Sequence, residues 1–226
     1  MRIRRKKWAA KELAEAEFYI NNPEYGYKNT WKTRFKNDNP IHIEIGCGKG
    51  LFISSLAFQN PDINYIAIDM IEAMLGLSKR NIEKTYGDRG KGNILLIRAN
   101  AERILEIFGE YDKIERIYIN FCNPWPREKH KKRRLTHIRQ LENYKKFLIK
   151  GGEIYFKTDN LDLFEESLEY FKQVEFLEIA KTYDLEKEPI FGNNIETEHE
   201  KMFKADGIKI KAGIFKLMWY INLKKF

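Results

Sequence analysis

The sequence has few cysteines and no long apolar run. Among 226 residues only Cys47 and Cys122 are cysteines, and neither has a Cys or His partner at metal-ligand spacing. No stretch of about 18 apolar residues could span a bilayer, and the basic start MRIRRKKWAAKELAEAEFYI lacks the apolar core of roughly 7 to 15 residues that a secretory signal needs. We therefore expect a cytoplasmic protein with reduced, buried cysteines, no metal centre and no membrane association.

Internal repeats, low-complexity segments and Pro/Ser-rich linkers are also missing. With a composition that is 43% hydrophobic, the chain can bury one sizeable core, and single α/β domains commonly reach this length. We predict one domain over residues 1–226, in which residues 1–38 form a basic N-terminal extension. Nothing in the sequence indicates an obligate protein partner.

Positive charge is in excess and is concentrated in one place. Lys and Arg outnumber Asp and Glu by 41 to 33, for a net charge of +8, which favours an anionic partner. The stretch REKHKKRR from Arg127 to Arg134 holds six basic residues against Glu128 alone. A solvated helix face is one interpretation, but the self-repulsion favours contact with phosphates. The N-terminal Arg2, Arg4, Arg5, Lys6 and Lys7 would add a second basic arm.

Short apolar runs alternate with stretches of helical spacing. Five runs predict buried strands, beginning at Ile41, Asn64, Asn93, Glu115 and Glu153. Helical spacing occurs over 50–59, 71–86, 101–108, 137–149 and 161–171. Two further runs, 174–180 and 214–223, are predicted to pair antiparallel at the far edge. The pattern predicts an α/β fold with a Rossmann-like, doubly wound, mostly parallel seven-stranded sheet and an antiparallel C-terminal strand.

Each of the five predicted strands is followed by glycine or by a small polar residue. The sequence GCGKG follows the first, and the later ones are followed by Asp69, Asn100, Asn123, and Thr158 with Asp159. Asn and Asp also favour turns for their own sake. In a doubly wound sheet, however, ligands bind at the carboxyl ends of the strands, so we expect these groups to converge on one crevice.

The first strand end has the features of a nucleoside-cofactor site. Gly46, Gly48 and Gly50 allow a tight turn, and Asp69, at the end of the next strand, is placed to accept from ribose hydroxyls. Glu44 would repel a pyrophosphate but attract the ammonium of a methionine moiety, unless it is a solvated edge charge. This favours S-adenosylmethionine over a nicotinamide cofactor. Asn100 is expected near the adenine, or as a helix N-cap.

Four stretches together resemble the bacterial tRNA (guanine-N7-)-methyltransferase family. They are EIGCGKG, NFCNPWPREKHKKRRL, FKTDN and TEHEKMF, and the resemblance extends over nearly the whole chain. It implies a class I methyltransferase fold, S-adenosylmethionine as methyl donor, tRNA as partner, and methylation of N7 of a variable-loop guanosine, position 46, to 7-methylguanosine.

The resemblance also implies roles for single residues. Cofactor contacts are expected at Glu44, Gly46, Gly48, Asp69, Asn100 and Asn123. The substrate guanosine would be lined by Arg127, Asp159 and the segment from Thr197 to Glu200, with Asn123 and Asp159 as the catalytic positions. RNA contacts would come from Lys129, His130, Lys131, Lys132, Arg133 and Arg134. The chain departs from the family in having Asn at 100 and 123, where Asp is usual, and mildly in having Asp at 69, where Glu is common.

The chemistry of N7 tolerates an amide at position 123. N7 of guanine has an in-plane lone pair and no proton to lose, so transfer needs alignment more than a general base. Positive charge develops on the purine, and we expect Asp159 and Glu200 to stabilise it through the guanine edge. Trp125, between Pro124 and Pro126, is predicted to offer a stacking face for a base, or else to be a core residue.

Three other functions are compatible with parts of the sequence. N-P-W resembles the N-P-P-Y motif of exocyclic-amine methyltransferases. A non-catalytic RNA-binding module would keep the fold without the chemistry, although the glycines, Glu44 and Asp69 argue against it. An NAD-dependent dehydrogenase is disfavoured by the glycine spacing.

Overall fold

The computed structural model describes residues 6–23 and 26–218. Their strands form one sheet in the order β1-β4-β3-β2-β5-β6-β8-β7. The strands are β1 (Tyr19–Asn21), β2 (Ile41–Ile45), β3 (Asn64–Asp69), β4 (Ile94–Arg98), β5 (Ile114–Asn120), β6 (Leu148–Thr158), β7 (Phe176–Thr182) and β8 (Lys211–Leu217). The helices are α1 (Lys7–Ala14), α2 (Trp31–Phe35), α3 (Leu51–Gln59), α4 (Glu72–Tyr86), α5 (Ile104–Ile107), α6 (Ile138–Tyr144), α7 (Leu161–Gln173) and α8 (Glu198–Ala205).

Strand pairing confirms the doubly wound, mostly parallel sheet. Strands β1 to β6 pair in parallel, whereas β8 lies antiparallel between β6 and β7. Strands β2 and β3 and the first four residues of β4 are almost entirely buried, as expected for parallel strands covered on both faces. The chain order reverses at β2, which lies between β3 and β5, and a doubly wound sheet binds its ligands at such a switch point.

The sheet has eight strands among the described residues rather than the predicted seven. The additional strand, β1, has three residues and pairs with the outer edge of β4, and so short a strand gives no periodicity to detect. It lies in the predicted N-terminal extension, which packs on the domain: the fully buried Trp31 donates through Nε1 to the carbonyl of Ile107 at 3.0 Å. Arg2, Arg4 and Arg5 of the predicted basic arm lie outside the described residues.

Two other boundaries differ from expectation. The helix predicted over 137–149 ends at Tyr144, and β6 begins at Leu148, five residues before the predicted start. The strand bends at Gly151, whose φ of +78° suits glycine, before it continues beside β5. The last residues of the run 214–223 lie outside the described part.

Within residues 6–23 and 26–218, no helix is both long and apolar enough to cross a membrane. In the same ranges, no three His, Cys, Asp or Glu side chains are grouped so as to hold a metal ion. Cys47 is buried, Cys122 is half-buried, and both are free thiols.

Candidate active site at the carboxyl ends of the strands

The glycine loop after β2, residues 46–50, has backbone angles that favour glycine. Gly46, Gly48 and Gly50 all have φ in the left-handed region. At Gly50, the N-cap residue of α3, a Cβ atom would lie 2.0 Å from Oγ of Ser78 on α4, so only glycine fits. The loop therefore has both an unusual backbone and a close approach to the neighbouring helix.

Asp69 holds the glycine loop from the end of β3. Its Oδ2 accepts from the backbone N–H of Gly48 at 3.0 Å, and its Oδ1 accepts from that of Ile71 at 2.8 Å. Burial raises the pKa of Asp69, whereas these backbone hydrogen bonds act in the opposite direction. Since a carboxylate has about four acceptor positions, Asp69 retains capacity for ribose hydroxyls.

Glu44 is a buried carboxyl, not a solvated edge charge. It is 2% exposed, and its Oε1 accepts from Nδ2 of Asn120 on β5 at 2.9 Å. Its Oε2 is buried and has no hydrogen-bond partner among residues 6–23 and 26–218. Burial raises the pKa of Glu44 to about 8, opposed in part by the Asn120 hydrogen bond and by the positive charge of Lys157. An orphaned carboxylate oxygen of this kind indicates a missing partner.

A cavity of about 550 Å³ lies beside Glu44, within the range of small-ligand pockets. The ammonium of S-adenosylmethionine is a suitable partner for the orphaned oxygen, so the residues present fit this cofactor. Asp69, Asn100 and Asn123 lie outside the lining. The lining comprises Glu44, residues 46–52, Met74, Asn120, Phe121, residues 197–199 and Met202.

Asn100 and Asn123 both use their amide oxygens on the local backbone. Oδ1 of Asn100 accepts from the N–H of Glu102 at 2.9 Å and caps the 3-10 turn before α5, as the alternative interpretation expected. Oδ1 of Asn123 accepts from the N–H of Trp125 at 3.0 Å and closes the turn after β5. Their contacts with a cofactor remain predictions.

The Pro-Trp-Pro turn packs against the basic segment that follows it. Trp125 has a left-handed φ of +40°, and its ring lies 5.7 Å from the ring of His130. The guanidinium of Arg133 lies 5.2 Å from the centroid of Trp125. Trp125 is half-buried rather than a core residue, and side chains of the basic segment already contact its ring.

Residues 128–133 form a short 3-10 helix. Its basic side chains differ in whether they pair with acidic residues. Lys129 and Lys132 are exposed and make no ion pair with residues 6–23 or 26–218. Lys131 instead pairs with Glu128 at 2.7 Å and with Glu166 at 2.9 Å.

The position of Arg134 differs from its predicted role as an RNA contact. It is 2% exposed, its Nε donates to the carbonyl of Pro124 at 2.7 Å, and its Nη1 lies 2.7 Å from Glu166. Since the guanidinium is enclosed, Arg134 fixes the Pro-Trp-Pro turn onto α7 and presents no charge to RNA.

Glu200 corrects a predicted guanosine contact. It forms a capping box with Thr197 at the start of α8. In this box, Oγ1 of Thr197 accepts from the N–H of Glu200 at 3.0 Å. Glu200 is 0% exposed: Oε1 accepts from Asn194 at 2.8 Å and Oε2 accepts from Nζ of Lys157 at 3.0 Å. Its carboxylate therefore faces β6 and positions the segment, whereas Thr197 lines the cavity.

Asp159 is better placed than Glu200 to contact the guanine edge. It follows β6 and is half-buried, and its carboxylate has no hydrogen-bond partner in the described residues. Lys211 binds the backbone carbonyl of Asp159 at 2.8 Å and leaves the side chain available. Arg127 is exposed at the start of the 3-10 helix.

Asn120, Phe121 and Lys157 are the residues of this site that the strand-end pattern misses. The apolar run ERIYINF places the strand end at Phe121, so Asn120 is read as part of the strand interior. A polar residue in a run predicted to be buried is itself a signal, because a buried amide needs a partner. That partner, Glu44, comes from the neighbouring strand β2.

Comparison with known proteins identifies the family. Residues 38–212 match a family model described as "Putative methyltransferase". The chain is 56% identical to the tRNA (guanine-N(7)-)-methyltransferase of Clostridium beijerinckii, with 93% of this chain and 96% of the relative covered. It is 52% identical to the enzyme of the same name from Clostridium perfringens strain 13, with coverages of 96% and 99%.

Solved structures agree on the fold. The 16S rRNA methyltransferase KamB aligns with a TM-score of 0.61 at 15% identity, over 84% of this chain and 93% of that one. An antibiotic-related methyltransferase aligns with a TM-score of 0.58 at 19% identity, over 84% and 92%. At these identities the likeness concerns the fold alone. With the glycine loop, the orphaned oxygen of Glu44 and the matched sequence over nearly its full length, the chain belongs to the tRNA (guanine-N7-)-methyltransferase family.

Proposed function

We propose that the chain transfers a methyl group from S-adenosylmethionine to N7 of the variable-loop guanosine at position 46 of tRNA, forming 7-methylguanosine. The observation that carries the reaction type is the unpartnered, buried Oε2 of Glu44 beside the cavity of the glycine loop. The substrate follows from relatives of 52–56% identity that are named tRNA (guanine-N(7)-)-methyltransferases. The variable-loop position follows from the resemblance alone.

The chain's residues divide the binding of S-adenosylmethionine among four strand ends. Glu44 would accept from the ammonium, the backbone of Gly46 and Gly48 would allow close approach, and Asp69 would bind the ribose. Asn100 is proposed at the adenine and Asn123 near the amino group. When bound, S-adenosylmethionine supplies an electrophilic methyl on a sulfonium.

The reaction requires alignment and charge stabilisation rather than proton removal. N7 carries an in-plane lone pair and no proton, so the chain has to hold the base in line with the methyl group. Asp159, with its carboxylate unpartnered in the described residues, would accept from the guanine edge and stabilise the developing purine cation. Arg127 and Thr197 would line the base.

Exposed basic residues would hold the tRNA outside the pocket. Lys129, His130, Lys132 and Arg133, with Lys131 beside them, lie on the 3-10 helix next to the turn after β5. Contacts of this kind position RNA without reading its sequence, so selectivity is expected from tRNA shape and from the pocket. We place the reaction in the cytoplasm.

The test is to incubate the purified protein with labelled S-adenosylmethionine and unmodified tRNA, and to locate the methyl group by nuclease digestion and mass spectrometry. The expected product is 7-methylguanosine at position 46, absent when that guanosine is replaced by adenosine. Methyl on an exocyclic amine would favour the N-P-P-Y type of enzyme. Tight tRNA binding without transfer would favour a non-catalytic module.

A further inference from the structure

Three aromatic side chains line the cavity beside Glu44, and two of them, Phe121 and His199, pack against each other. Phe121 follows the last residue of β5, and His199 lies in the first turn of α8. Their rings are stacked on each other with centroids 5.9 Å apart and an interplanar angle of 23°, and the tilted ring of Phe203 lies 5.7 Å from Phe121 and 6.1 Å from His199. We call Phe121 and His199 the aromatic platform.

Phe121 is held in a conformation that its residue type disfavours. Its φ is +51°, a region that residues with a Cβ seldom adopt. Its backbone N–H donates to the carbonyl of Lys157 at 2.9 Å, which fixes the turn to the end of β6. Glycine would adopt this backbone without strain, so a phenylalanine here indicates that the side chain has a function at the cavity.

His199 is fixed from both sides by its neighbours in the sequence. Glu198 pairs with Lys49 of the glycine loop at 2.7 Å, and Glu200 pairs with Lys157 at 3.0 Å. The first turn of α8 is thereby tied to the glycine loop and to β6, while the imidazole of His199 stays exposed at the cavity. Its position depends on the two elements that also shape the pocket.

Methyl transfer to N7 places positive charge on the guanine ring. The N7 lone pair forms the new bond to carbon, the carbon–sulfur bond breaks with its electrons going to sulfur, and the sulfonium charge moves to the purine. A cation is attracted to the face of an aromatic ring, by about 2- to 30-fold in equilibrium terms. Only the transition state and the product carry this charge, so such a contact accelerates the chemical step.

We propose that the aromatic platform stacks on the substrate guanine and stabilises the purine cation as it forms. The proposal rests on the proposed function, and it gives the aromatic platform the stacking role that the sequence predicted for Trp125. Trp125 is unsuited to the task, because the guanidinium of Arg133 lies 5.2 Å from its ring and would repel a cation there. Asn120, directly before Phe121, binds Glu44, so the platform begins beside the proposed ammonium site.

The test compares leucine with aromatic replacements in single-turnover methylation of tRNA. Phe121→Leu and His199→Leu keep apolar volume but remove the π face, and each should lower the rate of the chemical step about 3- to 30-fold. Phe121→Tyr and His199→Phe should retain more of the rate than the leucine variants. Tyr111→Leu is the matched control, since Tyr111 is 70% exposed and precedes the amino end of β5, and its rate should equal that of the wild type.

Affinities measured on the same variants separate the outcomes. The wild type should bind 7-methylguanosine more tightly than guanosine in the presence of S-adenosylhomocysteine, and the exposed-site variant His199→Leu should lose that preference while it binds S-adenosylmethionine as before. Leucine variants with wild-type rates would overturn the proposal, as would a loss confined to S-adenosylmethionine affinity. If the wild type forms no 7-methylguanosine at all, the proposed function fails instead.

Discussion

At the scale of single residues, Glu44 is a carboxyl whose ionisation depends on what lies beside it. Its pKa of about 8 in the ligand-free protein comes mainly from burial, so at pH 7 most molecules carry it protonated. A bound ammonium would favour the charged form and expel the proton. Cofactor binding at pH 7 is therefore linked to proton release.

We expect close to one proton to be released for each S-adenosylmethionine bound at pH 7. Calorimetric titrations in two buffers of different ionisation enthalpy measure this number directly. Glu44→Gln, which keeps an oxygen for Asn120, should bind more weakly and release none. Binding of the wild type without proton release would show that Glu44 is already charged, or that it does not meet the ammonium.

Asp159 and Asn123 should differ strongly in their effect on turnover. Asp159→Ala removes a carboxylate that has no partner in the described residues, and kcat should fall by about 10²-fold or more. Asn123→Asp keeps the oxygen that accepts from the N–H of Trp125, so it should change kcat by less than about tenfold. Steady-state kinetics with tRNA measure both, and equal losses would contradict the division of roles.

At the scale of elements, α8 is fixed to the sheet by the buried pair of Lys157 and Glu200. Removing one partner leaves a buried charge uncompensated, so Lys157→Met alone should cost about 3–5 kcal/mol of unfolding free energy. The double variant Lys157→Met, Glu200→Met should regain most of that stability, because two apolar side chains need no partner. Chemical denaturation of the three proteins measures both changes.

Activity of the double variant then distinguishes stability from positioning. The hydrogen bonds of Lys157 to Asn194 and to the carbonyl of Ile195 also hold the segment before α8, and methionine cannot replace them. We expect the stable double variant to keep a raised KM for tRNA with little change in S-adenosylmethionine affinity. Recovery of wild-type kinetics together with stability would mean that the pair serves folding alone.

The elements that sequence patterns predict are those whose burial is continuous. The runs at Ile41, Asn64 and Asn93 become strands because both faces of a parallel sheet are covered, and an apolar run records that burial. Strand β1 is missed because three residues show no period, and its pairing with β4 is a tertiary event.

The same distinction applies to the residues of the site. Glycine positions and strand-end carboxylates follow from local sequence, so Gly46, Gly48, Glu44 and Asp69 were predicted to lie together, and Glu44 and the glycines line one cavity. Whether a charged side chain points outward depends on partners that are distant in sequence. The ion pair of Arg134 with Glu166 and that of Glu200 with Lys157 form only in the folded chain. Local sequence patterns therefore do not reveal them.

At the scale of the whole molecule, the net charge overstates the charge offered to RNA. Of the six basic residues from 127 to 134, Arg134 is enclosed and Lys131 is shared between two glutamates. Lys129 and Lys132 point to solvent without an ion pair in the described part, and Arg133 is exposed over Trp125. The electrostatic contribution to tRNA binding should therefore be concentrated in fewer side chains than the sequence suggests.

A salt titration of tRNA binding tests this distribution. The wild-type affinity should fall steeply with salt, and Lys129→Gln or Lys132→Gln should each reduce the slope of log K against log salt by about 0.7 to 0.9. Lys36→Gln is the matched control, because Lys36 is exposed before the amino end of β2, away from the glycine loop, and should leave the slope unchanged.

Arg134→Gln should behave differently from the Lys129→Gln and Lys132→Gln variants. Because its guanidinium holds the carbonyl of Pro124 and the carboxylate of Glu166, the loss should appear as a lower unfolding free energy, by about 1–3 kcal/mol, rather than as a smaller salt slope. A reduced slope with unchanged stability would place Arg134 on the RNA after all. It would also mean that tRNA binding opens the turn that follows β5, since Arg134 cannot reach a phosphate while it is enclosed there.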